Sequence, residues 1–466
     1  MRKLMVIIIL LIIIIAGVPW VDGYIFKQQY LNTLVAANKL LTQQGVIKVV
    51  EYRQGWLGSD VKISYTANNN GPVASTLVMS PSWDVVQHIA HGPVVYDHIN
   101  NQWALGMAAF QSDIDLPVPM VKESVHTDTF VNFFGDYLSR VTMPPFSVAV
   151  PGAKLSWQGL TLDAMAKVAG DEFKYMKANI VIGAFNAASQ NGSALQTQNM
   201  AVQYEIIPQA MGIPTGHYSL SIPGVSLNLP TQGQMTLSNL NFTTLINANS
   251  DNSISSQSQL SLAQWQTSTY SISQSSIKLA LNNLNGPALM NLANNKPLTE
   301  DAYADAFVTL LTPQTSFSET AALNTSFGRL ISDGKIAWTS AAKSKQDAIA
   351  NAKAQFNLRV SVSLIDKLIA LAAEEDQRAE KVQQAQSTDQ VQPVARAEKA
   401  KLQLQDWLTH GYVTQDKDDY VTEITYEQGS LKANGVELSA APKMAPVAEP
   451  AAAPAPTAMP VAPAQP

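Results

Sequence analysis

The sequence predicts an α+β protein dominated by β-structure, with an N-terminal transmembrane helix followed by a large, mostly antiparallel, meandering sheet and a few packed helices. Three observations lead to this prediction. A long apolar run follows two basic residues at the N-terminus. Segments with alternating apolar and polar residues then recur at short spacing, separated by Gly, Pro and Asn, which is typical of meanders. Finally, only Glu205, Asp251 and Lys278 are charged between positions 190 and 286, a composition that suits strands.

The N-terminal apolar run extends from Leu4 to Val21. As a helix it would cover roughly 27 Å, close to the ~30 Å hydrocarbon core of a bilayer. A cleavable signal peptide needs small residues at its exit, but Val18 and Pro19 stand there. We therefore predict an uncleaved, single-pass anchor in the inner membrane. The basic residues before the run place the N-terminus in the cytoplasm and the body in the periplasm.

Changes in pattern along the chain predict four segments. Leucine and valine at helical spacing follow the anchor, and the last residues are almost only Ala, Pro, Met, Val and Gln, which cannot form a packed core. The predicted segments are a transmembrane signal anchor (1–21), a membrane-proximal helix (22–45), a periplasmic β-rich body (46–440) and a disordered tail rich in Ala and Pro (441–466).

Within the body, alternating residues predict strands, and helical spacing predicts helices. The predicted strands lie at 61–66, 73–79, 155–162, 178–184, 200–207, 218–229, 235–243, 253–262, 267–281 and 358–362, and near positions 327, 338 and 424. Helices are predicted at 298–311, with Thr299 as the cap, and at 364–372, with Ser363 as the cap. One face of the charge-poor strands is apolar. We expect the two helices to cover it, so that Leu279→Lys would unfold the body.

Composition excludes several classes of function. The chain of 466 residues has no cysteine, which fits an oxidising compartment and leaves no disulfide, thiolate ligand or cysteine nucleophile. Its net charge is −6 and it has no basic cluster beyond the N-terminus, so no electrostatic footprint for nucleic acid is present. We expect no nucleic-acid partner.

No catalytic motif is found in the sequence. It has no G-x-S-x-G elbow and no glycine-rich phosphate loop. His88, His91 and His98, with Asp84 and Asp97 nearby, offer enough ligands for zinc, but their spacing is not that of a helical zinc motif. We interpret the histidines as hydrogen-bonding residues, and predict no enzyme activity and no catalytic, cofactor-binding or metal-binding residue.

Four features in this order resemble the YdgA-like family of Gram-negative, inner-membrane-anchored proteins, which have no assigned biochemical function. They are the anchor with its following helix, the segment before the first strand, a His-Gly-Pro turn, and a strand-to-helix switch at 358–372 with a closing meander at 426–438. The residues that carry the last three motifs are Tyr52, Gly55, Trp56, Ser59, His91, Gly92, Pro93, Tyr426, Gly429 and Gly435. The resemblance implies a topology and a compartment but no catalytic residue, and we interpret these residues as structural.

Two functions from different classes remain open. In the preferred one, the body is a structural or interaction module of the cell envelope, which binds another envelope protein or forms a homo-oligomer through its sheet edges. In the alternative, the sheet forms an apolar groove that binds or transfers lipid or another amphipathic envelope molecule. A continuous apolar trough along one face would favour lipid handling, whereas a filled sandwich-like core would exclude it.

Overall fold

The computed structural model describes residues 22–39, 45–67, 82–114, 124–169, 172–208, 214–294, 299–384 and 396–438. The predicted membrane anchor, the predicted strand at 73–79 and the predicted disordered tail therefore lie outside the described residues. In the part of the chain that is described, no helix is both long and apolar enough to cross a membrane.

Strands dominate the described residues. They are β1 (Gly45–Gln54), β2 (Gly58–Ala67), β3 (Ser82–His91), β4 (Val94–Asp97), β5 (Gln102–Leu105), β6 (Ala108–Ile114), β7 (Val125–Val131), β8 (Asp136–Met143), β9 (Phe146–Val150), β10 (Ala153–Trp157), β11 (Leu160–Ala169), β12 (Glu172–Ile182), β13 (Phe185–Ser189), β14 (Ala194–Thr197), β15 (Met200–Pro208), β16 (Pro214–Leu229), β17 (Gly233–Ala248), β18 (Ser253–Gln266), β19 (Ser271–Asn285), β20 (Ser316–Thr325), β21 (Gly328–Trp338), β22 (Ala352–Ser361), β23 (Thr414–Asp416), β24 (Asp419–Glu427), β25 (Ser430–Ala433) and β26 (Val436–Glu437).

The helices are few by comparison. They are α1 (22–39), α2 (Gly286–Asn294), α3 (Glu300–Leu310), α4 (Lys345–Ala350), α5 (Val362–Gln384) and α6 (Arg396–Thr409). The predicted cap is confirmed at Thr299, whose hydroxyl accepts a hydrogen bond from the Ala302 amide at the start of α3. The predicted cap at Ser363 is wrong, because α5 begins at Val362, two residues before the predicted start, and the Ser363 hydroxyl donates to the Phe327 carbonyl.

Nearly all strands join one antiparallel sheet, and this confirms the predicted β-dominated, meandering architecture. From β15 to β22 each strand pairs with the next along the chain, and β24 follows β22. On the other side of β15 the order continues through β12, β11, β8, β7, β6, β3 and β2 to β1. The hairpin of β4 and β5 forms a separate small sheet.

Neighbouring central strands are interrupted at adjacent positions, and this line of interruptions forms a crease across the sheet. The chain leaves the strand conformation at 144–145, 158–159, 183–184 and 198–199, and the ladder skips one pair at Pro223, Asn239, Ala263 and Gln274. Asn239 and Gln274 have φ angles of 50° and 44° there. Interruptions of this kind bend strands and increase their twist.

The sequence pattern shifts at the crease. In β16 the apolar residues stand at even positions before it, at Leu220 and Ile222, and at odd positions after it, at Val225 and Leu227. The register with β17 is the same on both sides, because Ile222 pairs with Leu240 and Gly224 with Ser238. In a regular strand, positions of opposite parity lie on opposite faces.

The main buried core lies where α1 packs on the N-terminal strands. Phe26 and Tyr30 of α1 are buried against Val61, Ile89 and Phe110, in a cluster that includes residues of β7, β8 and β11. Hydrogen bonds fix the helix further along. The Thr33 hydroxyl donates to the Tyr137 hydroxyl at 2.9 Å. The Asn38 amide exchanges two bonds of 2.8 Å with the backbone of Ile47.

The helices of the C-terminal half cover less of the sheet than the sequence predicts. The helices α2 and α3 contact β19, whereas α5 packs against β21 and β22. Leu279, which we expected to be buried beneath helices, is 40 % exposed. The expectation of a fully covered apolar face is therefore wrong, because the predicted helices sit at one end of that face.

Candidate functional site

A row of apolar side chains crosses the central sheet from strand to strand. Each member is the direct cross-strand partner of the next, so all of them lie on one face. The apolar row consists of Val141, Leu162, Ile180, Val202, Leu220, Phe242, Leu260, Ile277 and Ala321. With strands about 4.8 Å apart, this row of nine strands is about 38 Å long.

The opposite face carries a polar row in register with the apolar row. It runs through direct cross-strand partners from Arg53 in β1 to Glu423 in β24. Its central members are Asn179, Gln203, Ser219, Thr243, Gln259 and Lys278. Each of them is a sequence neighbour of a member of the apolar row, and neighbours in a strand point to opposite faces. The central sheet therefore has one apolar face and one polar face.

The middle of the apolar row remains open to solvent. Phe242, Leu260 and Ile277 are 37, 39 and 43 % exposed. The charge-poor strands place no charged side chain on this part of the face, because Lys278 belongs to the polar row, Glu205 shares the polar face with Gln203, and Asp251 lies in the turn before β18. One carboxylate borders the strip, that of Glu319 on β20, which stands opposite Leu279. An exposed, uncharged apolar strip of this size marks a binding surface.

Helices stand at both ends of this open strip. At one end α1 packs on the same face, because its neighbour Tyr137 pairs with Ala166, which in turn pairs with Met176 of β12. At the other end α2, α3 and α4 rise beside β19 and its neighbours. The open strip is therefore a trough with a sheet as its floor and helices at its two ends.

An apolar cleft of about 870 Å³ lies at the C-terminal end of the trough. Its helical side includes Tyr303, Phe307 and Ile349, and its floor includes Ile336 and Tyr426. Ile336 pairs with Phe317, the cross-strand partner of Leu281, so the cleft and the apolar row share one face. The volume and apolar lining fall in the range of small-molecule sites.

The polar groups near this cleft are already satisfied or lie at its margin. The Trp338 indole N–H donates to the Ala348 carbonyl at 3.0 Å, which leaves only the apolar ring for the cleft. Lys345 is the one charged side chain among the described lining residues, and it lies 3.9 Å from the Asp305 carboxylate. The cleft can therefore take hydrocarbon in its interior and a polar group at its edge.

Three predicted motif residues meet beneath the start of α1. The Ser59 hydroxyl is 2.8 Å from Nε2 of the buried His91, and burial lowers the pKa of His91 to about 4. Burial raises the pKa of Tyr52, an effect that Ser59 partly offsets, and the buried Tyr52 hydroxyl has no hydrogen-bond partner among the described residues. The helix α1 and the strands enclose this cluster, and the structural interpretation of its three residues stays a prediction.

The glycines among the motif residues occupy tight places. A side chain at Gly92 would come within 1.9 Å of the Gly106 carbonyl oxygen, and the Gly92–Pro93 peptide bond is cis. Gly55 donates a hydrogen bond to the Gly58 carbonyl at 2.7 Å and closes the turn that carries the exposed Trp56.

Of the motif residues in the closing meander, two lie in turns and one lines the cleft. Gly429 and Gly435 have φ angles of 84° and 79° in the turns around β25, a conformation that favours glycine. Tyr426, which we interpreted as structural, lies in the floor of the apolar cleft.

The three clustered histidines point to different surroundings. His91 faces the buried cluster, whereas Nδ1 of the exposed His88 is 2.7 Å from the Asp60 carboxylate. The His98 ring packs edge-on against Tyr96. Asp97 is buried and accepts hydrogen bonds from the Ile99 and Asn100 amides. Across the described residues, no three His, Cys, Asp or Glu side chains lie close enough to hold a metal ion.

Sequence reasoning missed the cleft and the extent of the apolar row. Tyr303 and Phe307 stand four residues apart on α3, a spacing that signals an apolar helix face. Their partners Ile336 and Tyr426 are distant in sequence, and only the strand register brings them together. The sequence shows the alternating pattern of each strand, but it does not show the register that aligns nine strands.

A family model described as a bacterial protein of unknown function (DUF945) matches residues 1–441. The chain therefore belongs to this bacterial family. A comparison with curated proteins finds no match.

Proposed function

We propose that the protein is a lipid-binding protein of the bacterial cell envelope, and that the trough along the apolar row holds the acyl chains of lipids or related amphipathic molecules. The observation that carries this proposal is the continuous, uncharged and half-exposed apolar row, which meets a cleft of about 870 Å³ at one end. Burying hydrocarbon is worth about 0.8 kcal/mol per CH₂, so a long acyl chain would gain enough to bind.

The shape of the trough favours acyl chains over a second sheet. Two sheets pack about 10 Å apart, and a helix layer about 10 Å thick stands at each end of the trough. Two copies placed face to face would therefore bring these helices into contact before the central strands could pack. Flexible chains can lie between the helices without this clash.

The cellular setting is part of the same proposal. The run from Leu4 to Val21 would hold the protein in the inner membrane, with the N-terminus in the cytoplasm and the body in the periplasm, as in the YdgA-like proteins that the motifs resemble. The absence of cysteine supports an oxidising compartment. A membrane-anchored body would meet its lipid ligands directly.

Photo-crosslinking to neighbouring residues on opposite faces tests the proposal. Benzoylphenylalanine would be incorporated at Leu260 in the apolar row, at Phe307 in the cleft, and at the matched control Gln259 in the polar row. After irradiation of cells and purification, mass spectrometry should find phospholipid or fatty-acid adducts at positions 260 and 307 and none at 259.

Two other results would overturn the proposal. Adducts at position 260 that consist of a second copy or another envelope protein would establish the interaction module instead. Equal lipid labelling at 259 and 260 would mean that the adducts come from non-specific contact with lipid and not from binding in the trough.

A further inference from the structure

Large apolar side chains are exposed on three turns or hairpins of the N-terminal part of the sheet. Trp56 and Leu57 lie between β1 and β2, Trp103 and Leu105 on β5, and Phe133 and Phe134 between β7 and β8. These six residues, the aromatic collar, are between 46 and 80 % exposed. Exposed patches of this kind mark contact with a protein, a ligand or a membrane.

Backbone hydrogen bonds bring the three elements to one end of the sheet. The Leu57 carbonyl accepts from the His91 amide at 2.9 Å, and the Gly92 amide donates to the Met107 carbonyl at 2.7 Å. The Met107 amide in turn donates to the Val131 carbonyl at 2.9 Å, immediately before the turn of Phe133 and Phe134. The three elements that carry the collar therefore meet at one end of the sheet.

The start of α1 lies at the same end. A side chain at Gly23 would come within 3.0 Å of the His91 ring. The first turn of the helix therefore lies against His91, which bonds to the Leu57 carbonyl and pairs with Ala108 of β6. Tyr24 and Ile25 of this turn are themselves 55 and 48 % exposed. The predicted transmembrane run ends at Val21, directly before α1.

The charge and composition of this surface fit contact with the interface of a bilayer. The segments 55–59, 92–96, 102–107 and 131–135 contain no charged residue. Tryptophan and tyrosine, which the collar and the first turn of α1 carry, are the residues enriched at the interface between bilayer and water.

We propose that the aromatic collar docks on the surface of the lipid bilayer in which the chain is anchored. Docking would add an interfacial attachment to the single span and fix the orientation of the body. Because the collar lies at the ends of β2, β5 and β7, the neighbouring strands would stand away from the membrane. This inference is independent of acyl-chain binding in the trough.

The cysteine-free chain allows a direct test. Single cysteines at Phe134→Cys and Trp103→Cys, and at Ser268→Cys in the exposed turn between β18 and β19 as a control, would carry nitroxide labels on the full chain. The protein would be placed singly in nanodiscs of phosphatidylcholine and phosphatidylglycerol. Labels at 103 and 134 should collide more often with oxygen, which concentrates in the bilayer, than with a water-soluble nickel chelate. The label at 268 should show the reverse.

A second variant guards against a local artefact of labelling. Leu57→Ser combined with Leu105→Ser should shift the Phe134→Cys label towards the nickel chelate while the circular dichroism spectrum stays unchanged. Labels at 103 and 134 that are as accessible to the chelate as the label at 268, in protein that still enters the nanodisc, would overturn the proposal. Protection from both reagents that occurs only when a nanodisc holds two copies would also overturn it, in favour of a protein interface.

Discussion

Two parts of the same sheet carry similar alternating patterns but differ in what covers them. Where α1 covers the sheet, Phe26 of the helix and Val61 of β2 are completely buried against each other's layer. In the central strands, Phe242 and Ile277 of the apolar row are 37 and 43 % exposed. The comparison teaches that alternation reports a one-sided strand, while the presence of a cover depends on which helix the chain folds back over that face.

The covered and uncovered parts of the sheet contribute differently to the stability of the fold. The covered part contains the main buried cluster and supplies the larger share of stability per residue, because burial of apolar area is the dominant favourable term in folding. The uncovered part is held by its strand ladders and leaves its apolar surface available. A ligand that enters the trough therefore replaces water, not protein.

Truncating one phenylalanine in each part should give the largest contrast. Phe26→Ala should lower the free energy of unfolding by about 3–5 kcal/mol, because it leaves a cavity in a packed core. Phe242→Ala, the matched change in the apolar row, should cost about 1 kcal/mol or less. Urea denaturation of the full chain in mild detergent measures both. Equal losses would mean that the central face is covered as well.

The buried cluster beneath α1 should make the covered part sensitive to acid. The pKa of His91 is about 4 in the folded protein, against about 6.5 in an unfolded chain. Between these values the unfolded chain takes up the proton and the folded protein does not, so stability is complete above pH 6.5 and falls as the pH drops towards 4. The loss should reach about 3 kcal/mol, and denaturation curves between pH 7 and pH 4.5 would reveal it.

His126 and Asp22 provide controls for assigning this acid sensitivity to His91. His91→Gln should remove the slope, whereas His126→Gln should keep it, because the hydrogen bond that His126 donates to the Asp113 carboxylate raises the pKa of His126 and gives the opposite sign. Burial raises the pKa of Asp22, so protonation of this carboxyl opposes the loss at the acid end. A slope that survives in His91→Gln would remove the histidine as its cause.

A charge in the uncovered part should be tolerated. Leu279 is 40 % exposed and stands directly opposite Glu319 on β20, so the side chain of Leu279→Lys can reach both water and a carboxylate. We expect a change of less than about 1 kcal/mol and loss of bound lipid. Val61→Lys, on the covered part, should unfold the protein because it buries an unpaired charge. Unfolding of Leu279→Lys, seen by circular dichroism, would restore the prediction made from the sequence.

The sequence predicted the strands in the C-terminal half better than those between residues 82 and 143. Leu220, Leu260 and Ile277 stand among neutral polar residues and give a clear period of two. In β3, β6 and β7 the outward positions hold His88, Gln111 and Asp128, and charged residues are depleted in strands generally. Cross-strand pairs such as His88 with Asp60 compensate here, but such partners cannot be read from one segment.

The candidate site was harder to predict than the sheet for a related reason. The motif residues Tyr52 and Ser59 belong to one predicted motif and His91 to another, and the register of β1, β2 and β3 brings them together. The trough depends instead on the order of nine strands and on the distance between α1 and α3. Local sequence fixes the period of each strand, whereas these arrangements follow from contacts between segments far apart in the chain.

Removing the last segment should have the smallest effect. Residues 441–466 are rich in Ala and Pro and lack apolar periodicity, and we predict that they do not bury enough surface to offset the entropy of ordering them. A chain ending at Ala440 should keep its melting temperature within error and keep the lipid adducts at position 260. A lower melting temperature together with stronger lipid labelling at 260 would mean that the tail covers the central face, and the contrast between the two parts of the sheet would then hold only for the truncated chain.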